Sequence, residues 1–264
     1  MFVGCTHLPY PQLVSFFTRL HIWAKSTSHL NSNLLTVSDI SSVTLTHLHL
    51  GHVDGIGQFG REVIGASPHS IRLLAGQAVL DELNKRSSQM DPFESIVIKN
   101  KSRVKLGKGV SLEFCRVPHR EQECGETYGI IIELEPTSTN DNSSDDPTRF
   151  LFLPDHDSYS ETLEYHKCKT IRAFLKKLSI DVALLDGTFF TIEEVAVRRE
   201  DARGIPHPPI EESLNLLGER KTCDPEIVFI HFNHTNPVID RKEKRHEIEE
   251  LGWRVGLQGM TWER

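Results

Sequence analysis

Three imidazoles fall within the six residues 47–52 of the run Thr46-His47-Leu48-His49-Leu50-Gly51-His52, in a chain that holds 14 histidines in all. The run continues Ser42–Thr46 (SVTLT), a short β-branched stretch that reads as a buried strand ending at His47. Alternate residues of an extended segment face the same way, so His47 and His49 can offer their rings to one metal ion. His52, beyond a turn, leaves in another direction and can serve a second. An apolar strand followed at once by a ligand recurs in Val117-Pro118-His119, Phe152-Leu153-Pro154-Asp155 and Phe229-Ile230-His231. Neutral imidazole and carboxylate suit zinc, manganese or iron, so the chemistry on offer is that of a divalent transition metal.

Such a set has to be held by strands whose ends meet. Besides Ser42–Thr46, apolar runs at Ile71–Ala75, Ser95–Ile98, Ser111–Val117, Tyr128–Leu134, Arg149–Leu153, Asp181–Leu185 and Glu226–Phe232 read as strands, and Trp253–Trp262 as short closing ones. Helical spacing marks Leu13–Lys25, Gln77–Lys85, Glu161–Leu178, Pro209–Leu217 and the charged Arg241–Leu251, with a glycine-bearing turn and a helix around Gly57–Ile64. The polar tract Pro136–Pro147 (PTSTNDNSSDDP) cannot bury apolar surface and reads as a flexible loop inserted into a hairpin, strand signals resuming on both sides by residue 148. Strands alternating with helices, many of them apolar throughout, give an α/β protein whose sheets are buried under helices. In such folds ligands gather beyond strand ends, where these polar residues lie.

The rest of the composition narrows the field. A net charge of −7, from 30 basic and 37 acidic residues, argues against nucleic acid as the main partner and leaves a small molecule as the expected substrate. No apolar run reaches the roughly 18–20 residues of a membrane span, and the N-terminus lacks the pattern of a secretory signal. The cysteines (Cys5, Cys115, Cys124, Cys168, Cys223) are scattered, odd in number and never spaced CxxC. They read as reduced thiols of an intracellular, cytoplasmic protein. Asp186 either approaches the site from a strand end or fixes its own loop. His234 is either a pocket residue or a hydrogen-bonded loop residue, and His207, between Pro206 and Pro208, reads as part of a rigid loop.

The run THLHLGHVDG resembles the HxHxDH signature of the metallo-β-lactamase superfamily. The later order VPHR, FLPD, LLDGTFF, GIPHP and FIHFNHTNP is similar to the branch that contains the pyrroloquinoline-quinone biosynthesis protein B and related metal-dependent hydrolases. The resemblance covers about Val43 to Trp262 and implies a single αββα domain. That fold begins with a strand hairpin, and residues 1–41 do not read as one, so the expectation is a fold without it. The resemblance further implies His47, His49 and His119 on a first metal, a bridging Asp155, and His52 with His231 on a second. One or two divalent ions, zinc first, would then activate a water to attack an ester, amide or phosphodiester bond, with Asp155 and His231 in catalytic positions. Gly51 stands where the superfamily usually has aspartate, a departure that leaves a non-hydrolytic metal-binding protein of cofactor metabolism as the first alternative and a nucleic-acid phosphodiesterase as the second. Asp54 is nearby, two residues past His52.

Overall fold

A three-stranded parallel sheet organises the first of two compact units in the computed structural model; this unit comprises residues 1–99, 122–126 and 257–264. Residues 40–59, 70–85, 93–107, 109–136, 146–196, 206–257 and 260–262 are described. The expected helix Leu13–Lys25 and the question of an N-terminal hairpin lie outside them. Strands β1 (Ser42–Thr44), β2 (Ile71–Ala75) and β3 (Phe93–Val97) pair in that order, with Val43 opposite Leu73 and Leu74 opposite Ile96. β2 is the middle strand and the most apolar, as a parallel strand covered on both faces must be.

Directly after His49 the chain turns into helix α1 (Leu50–Val53) and continues as a 3-10 helix over Asp54–Phe59. The sequence places a helix later, around Gly57–Ile64; residues 60–64 lie outside the described ones, and the observed helix starts seven residues earlier than 57. Val53, Ile56 and Phe59 are all buried, and their spacing of three is the 3-10 period, so one apolar edge holds the tight winding. Helix α2 (Gln77–Asn84) buries Val79, Leu80 and Leu83 on the same core as Val43, Leu45 and Leu73.

The second unit, residues 100–121 and 127–256, carries a seven-stranded sheet in the order β10-β9-β8-β7-β6-β5-β4. Strands β4 (Arg103–Gly107), β5 (Val110–Val117), β6 (Thr127–Leu134) and β7 (Thr148–Leu153) pair antiparallel. From β7 onward through β8 (Val182–Asp186), β9 (Glu226–Ile230) and β10 (Arg254–Val255) the pairing is parallel. β4 escapes the sequence reading because Arg103 and Lys105 are exposed on an edge strand, where charge discourages further pairing. Leu134 opposite Thr148 confirms that 136–147 interrupts a hairpin; its residues 137–145 lie outside the described ones. At the C-terminus, only Arg254–Val255 of the expected Trp253–Trp262 strands forms among the described residues.

Short helix α3 (Glu121–Cys124) follows β5. The single helix expected over Glu161–Leu178 is two, α4 (Tyr159–Tyr165) and α5 (Ile171–Lys177). Apolar periodicity runs through the break, but the backbone does not. Lys167 sits at φ 54°, and Thr170 starts a new helix by accepting a hydrogen bond from Ala173 N at 3.1 Å. Ser158 caps α4 in the same way, and its hydroxyl also donates to Glu161. Helices α6 (Glu193–Ala196), α7 (Ile210–Leu217) and α8 (Lys242–Glu250) complete the unit. Leu151, Leu153, Ala183, Leu185, Ile227 and Phe229 of the parallel strands share one core with Phe174, Leu175, Ile210 and Ile248 of the helices. At about 1.5–3 kcal/mol for each large apolar side chain removed from water, this layer is what holds the parallel strand ends in place. Among the described residues no helix is long and apolar enough to cross a membrane.

Candidate metal centre

In the first unit His47, His49 and His52 converge. His47 is fully buried and its Nε2 lies 2.9 Å from His49 Nδ1, while its Nδ1 is 2.9 Å from Thr46 Oγ1. The ring of His52 is 4.2 Å from that of His47, nearer than the 4.6 Å of His49. His52 lies beyond the turn and its ring rests against that of His47. The start of α1 at Leu50 swings it back onto the strand end, with His52 N donating to His49 O at 2.8 Å. Gly51 lies inside α1, has no positive φ, and a Cβ placed on it would meet nothing within 4 Å. The backbone thus does not require glycine there. Asp54 is exposed just past the end of α1, its N–H bonded back to Leu50 O.

In the second unit the three parallel strands β7, β8 and β9 each deliver a polar residue at the C-terminal edge: Asp155, Asp186 and His231. Asp155 is 2% exposed and its Oδ2 is 3.9 Å from His231 Nε2. His207 joins them, Nδ1 3.7 Å from Asp155 Oδ1, and the ligand atoms of Asp155, His207 and His231 all lie within 4.8 Å of one another. Behind them stands Asp186, completely buried. Its Oδ2 takes the hydrogen bond of His207 Nδ1 at 2.7 Å, and its Oδ1 accepts from Thr188 N at 2.9 Å and Thr188 Oγ1 at 2.7 Å. Asp186 thus lies against His207 and also fixes its own loop. Burial works against a charge on His207, but the Asp186 carboxylate and its hydrogen bond, with Asp155 beyond, raise the His207 pKa overall.

His119, at the end of β5, is fully buried, with its ring centroid 5.5 Å from that of His207. Its Nδ1 is 3.4 Å from Asp157 Oδ1, and the Asp157 carboxylate is in turn held by Arg120 N at 3.1 Å. Burial is the main cause that raises the Asp157 pKa, with Arg120 opposing it. Between the two acids, His156 points its Nδ1 at Thr162 Oγ1 (3.0 Å) and Ser158 O (3.3 Å), and burial lowers its pKa. His231 closes the site with φ 64°, the left-handed region that a non-glycine residue occupies at a cost.

His207 and Thr188 are the residues that sequence reasoning misses. No strand precedes His207, so the strand-then-ligand pattern passes over it, and its flanking prolines are equally good evidence for a stiff loop. His234 is exposed, whereas Asn236 of the same motif is buried and donates to Gly187 O at 2.7 Å.

Nitrogen and oxygen donors, largely buried and this close together, are a set that fits a divalent transition metal. Fold and donor set together define a metal-binding α/β class. The chain belongs to the metallo-β-lactamase superfamily: residues 23–232 match the family described as the beta-lactamase superfamily domain. Within it the chain is similar to the coenzyme PQQ synthesis protein B of Rhizobium meliloti, 29% identical over 89 residues, which is 30% of this chain and 28% of that protein. The match thus spans less than a third of the curated relative. Zinc-bound PqqB from Methylobacterium extorquens shares the fold, with a TM-score of 0.61 and 21% identity over 93% of this chain and 80% of that one. So does the isothiocyanate hydrolase from Delia radicum gut bacteria, at a TM-score of 0.55 and 16% identity over 89% and 85%.

Proposed function

We propose that this chain is a metal-dependent hydrolase in which a water, activated by a divalent metal, attacks an ester, amide or phosphodiester bond of a small molecule. The observation that carries the reading is the Asp155–His207–His231 group, three donors with ligand atoms within 4.8 Å of one another, backed by a buried second acid. Zinc is the ion we favour, followed by manganese and iron. Bound there, such an ion supplies Lewis acidity, lowering the pKa of water and polarising the bond to be cut. The assignment of His47 and His49 with His119 to one ion, and of Asp155, His52 and His231 to another, comes from the superfamily signature. Asp186 holds a proton on His207 Nδ1. The described cysteines are free thiols, which fits the intracellular, cytoplasmic setting we propose.

One observation favours a second reading, metal binding without turnover. Gly51 supplies no ligand, although the helix has room for a side chain. Zinc-reconstituted protein assayed against a panel of lactones, thioesters, amides and phosphodiesters separates the two. We expect bound zinc and turnover of at least one class, with His231→Ala and Asp155→Asn losing turnover and the ion assigned to Asp155, His52 and His231. Zinc binding without turnover across the panel would favour the second reading, and protein that takes up no zinc, manganese or iron would defeat both.

A further inference from the structure

Thr188 lies in the LLDGTFF motif and makes contact with three polar groups at once. Its Oγ1 is 2.7 Å from Asp186 Oδ1, 2.9 Å from His231 Nδ1 and 3.2 Å from His207 Nδ1. A carboxylate accepts only, and a hydroxyl has a single hydrogen to give. The Thr188 hydrogen is therefore committed to Asp186, and the single His207 Nδ1 hydrogen lies toward Asp186 Oδ2 at 2.7 Å, which leaves Oγ1 as the acceptor for His231 Nδ1. His231 must carry its hydrogen on Nδ1, and its unprotonated nitrogen is Nε2, the one facing Asp155 at 3.9 Å. His207 is locked in the same sense, its Nδ1 hydrogen directed at Asp186 Oδ2.

The hydroxyl is presented by a rigid frame. Thr188 is 7% exposed, its N–H is tied to Asp186, and its carbonyl accepts from Asn233 N at 3.0 Å and Asn236 Nδ2 at 3.3 Å. Gly187 allows the approach: a Cβ there would fall 2.8 Å from Ile230 O and 2.9 Å from Phe232 Cε1. A loop so close to the end of β9 brings the Thr188 hydroxyl onto the ring that follows Ile230.

We propose that Thr188 is a positioning residue: by accepting the Nδ1 hydrogen it sets the tautomer and orientation of His231 and presents Nε2 as the metal donor. The proposal rests on the metal-dependent reading above. Removing an outer partner of a liganding histidine costs about 10–100-fold in metal affinity, so Thr188→Val, which keeps the shape and deletes the hydroxyl, should weaken binding of the zinc held by His231 by about that factor. Thr188→Ser, which restores the hydroxyl, should bind zinc to within about threefold of the wild type, as the same argument requires.

A second measurement needs no metal. In the metal-free chain with 15N-labelled histidine, at about pH 8 where an ordinary imidazole is neutral, His231 should carry its hydrogen on Nδ1 in the wild type and in Thr188→Ser. In Thr188→Val it should populate both tautomers. Wild-type His231 with its hydrogen on Nε2 would overturn the proposal even if the valine variant does not fold, and so would a folded Thr188→Val that binds zinc as tightly as the wild type. A wild type that binds no zinc while showing the Nδ1 hydrogen would instead remove the metal-dependent reading and with it the donor role of Nε2, leaving the tautomer assignment intact.

Discussion

Gly51 is the residue on which the chemistry of the first unit turns. Because it is helical and unobstructed, an aspartate can be installed without backbone strain. Glycine and aspartate both sit about 0.7–1 kcal/mol below alanine in helix propensity, so Gly51→Asp should melt within about 1 kcal/mol of the wild type. Zinc stoichiometry of this variant, measured by elemental analysis, should rise toward two per chain if the missing carboxylate limits the second ion. A variant that fails to fold would show that the helical geometry is wrong. Legibility at this scale followed the local pattern. His119, Asp155 and His231 announced themselves because each follows an apolar strand, whereas His207 and the Thr188 hydroxyl act through residues about 19 to 43 positions away, and spacing along the chain carries no trace of such contacts.

Elements are where the sequence pattern was strongest and also where it failed for identifiable reasons. Strands covered on both faces, such as β7, β8 and β9, read correctly because burial writes a continuous apolar run. The exposed edge strand β4 wrote none. The break between α4 and α5 was hidden because Ile171, Phe174 and Leu175 carry on the helical spacing of the preceding residues across a left-handed Lys167. The return of His52 toward His47 was likewise a matter of where α1 begins, and its onset at Leu50 has no capping side chain to signal it. The β8–loop–β9 arrangement makes a sharper demand. Gly187→Ala would set a methyl group against Ile230 O and Phe232, and overpacking of this kind costs about 1–3 kcal/mol. Calorimetric melting should register that loss, and zinc affinity should fall further than in Thr188→Ser, since the displaced loop carries the hydroxyl with it.

Across the whole molecule, charge and composition give no sign of the division into two units, each with its own core. In the second unit, the edge of the sheet opposite the metal centre is tied by Arg172. It holds Asp224 through both carboxylate oxygens at 2.8 Å, donates to the carbonyls of Leu217 and Glu219, and lies over Trp253. The Arg172 side chain holds the Asp224 carboxyl below its ordinary value. A folded-state pKa that is depressed contributes stability in full above about pH 4 and loses it as pH falls through the lowered value. Asp224→Asn should therefore lower the melting temperature at neutral pH by about 2–4 °C, the equivalent of roughly 1 kcal/mol in a chain of this size. The gap from wild type should narrow below about pH 4; a gap that stays constant down to acid unfolding would mean the carboxylate charge is not what ties this edge together.

The left-handed backbone at His231 sets folding and chemistry against each other at a single position. Glycine adopts that conformation readily, whereas histidine, though it tolerates it better than most side chains do, still occupies it at a cost to the fold. Selection for a sturdier protein alone would therefore drift toward glycine here and discard the imidazole. A lineage that had lost its chemistry would be expected to show the change at this position early, with the strands beneath it still intact.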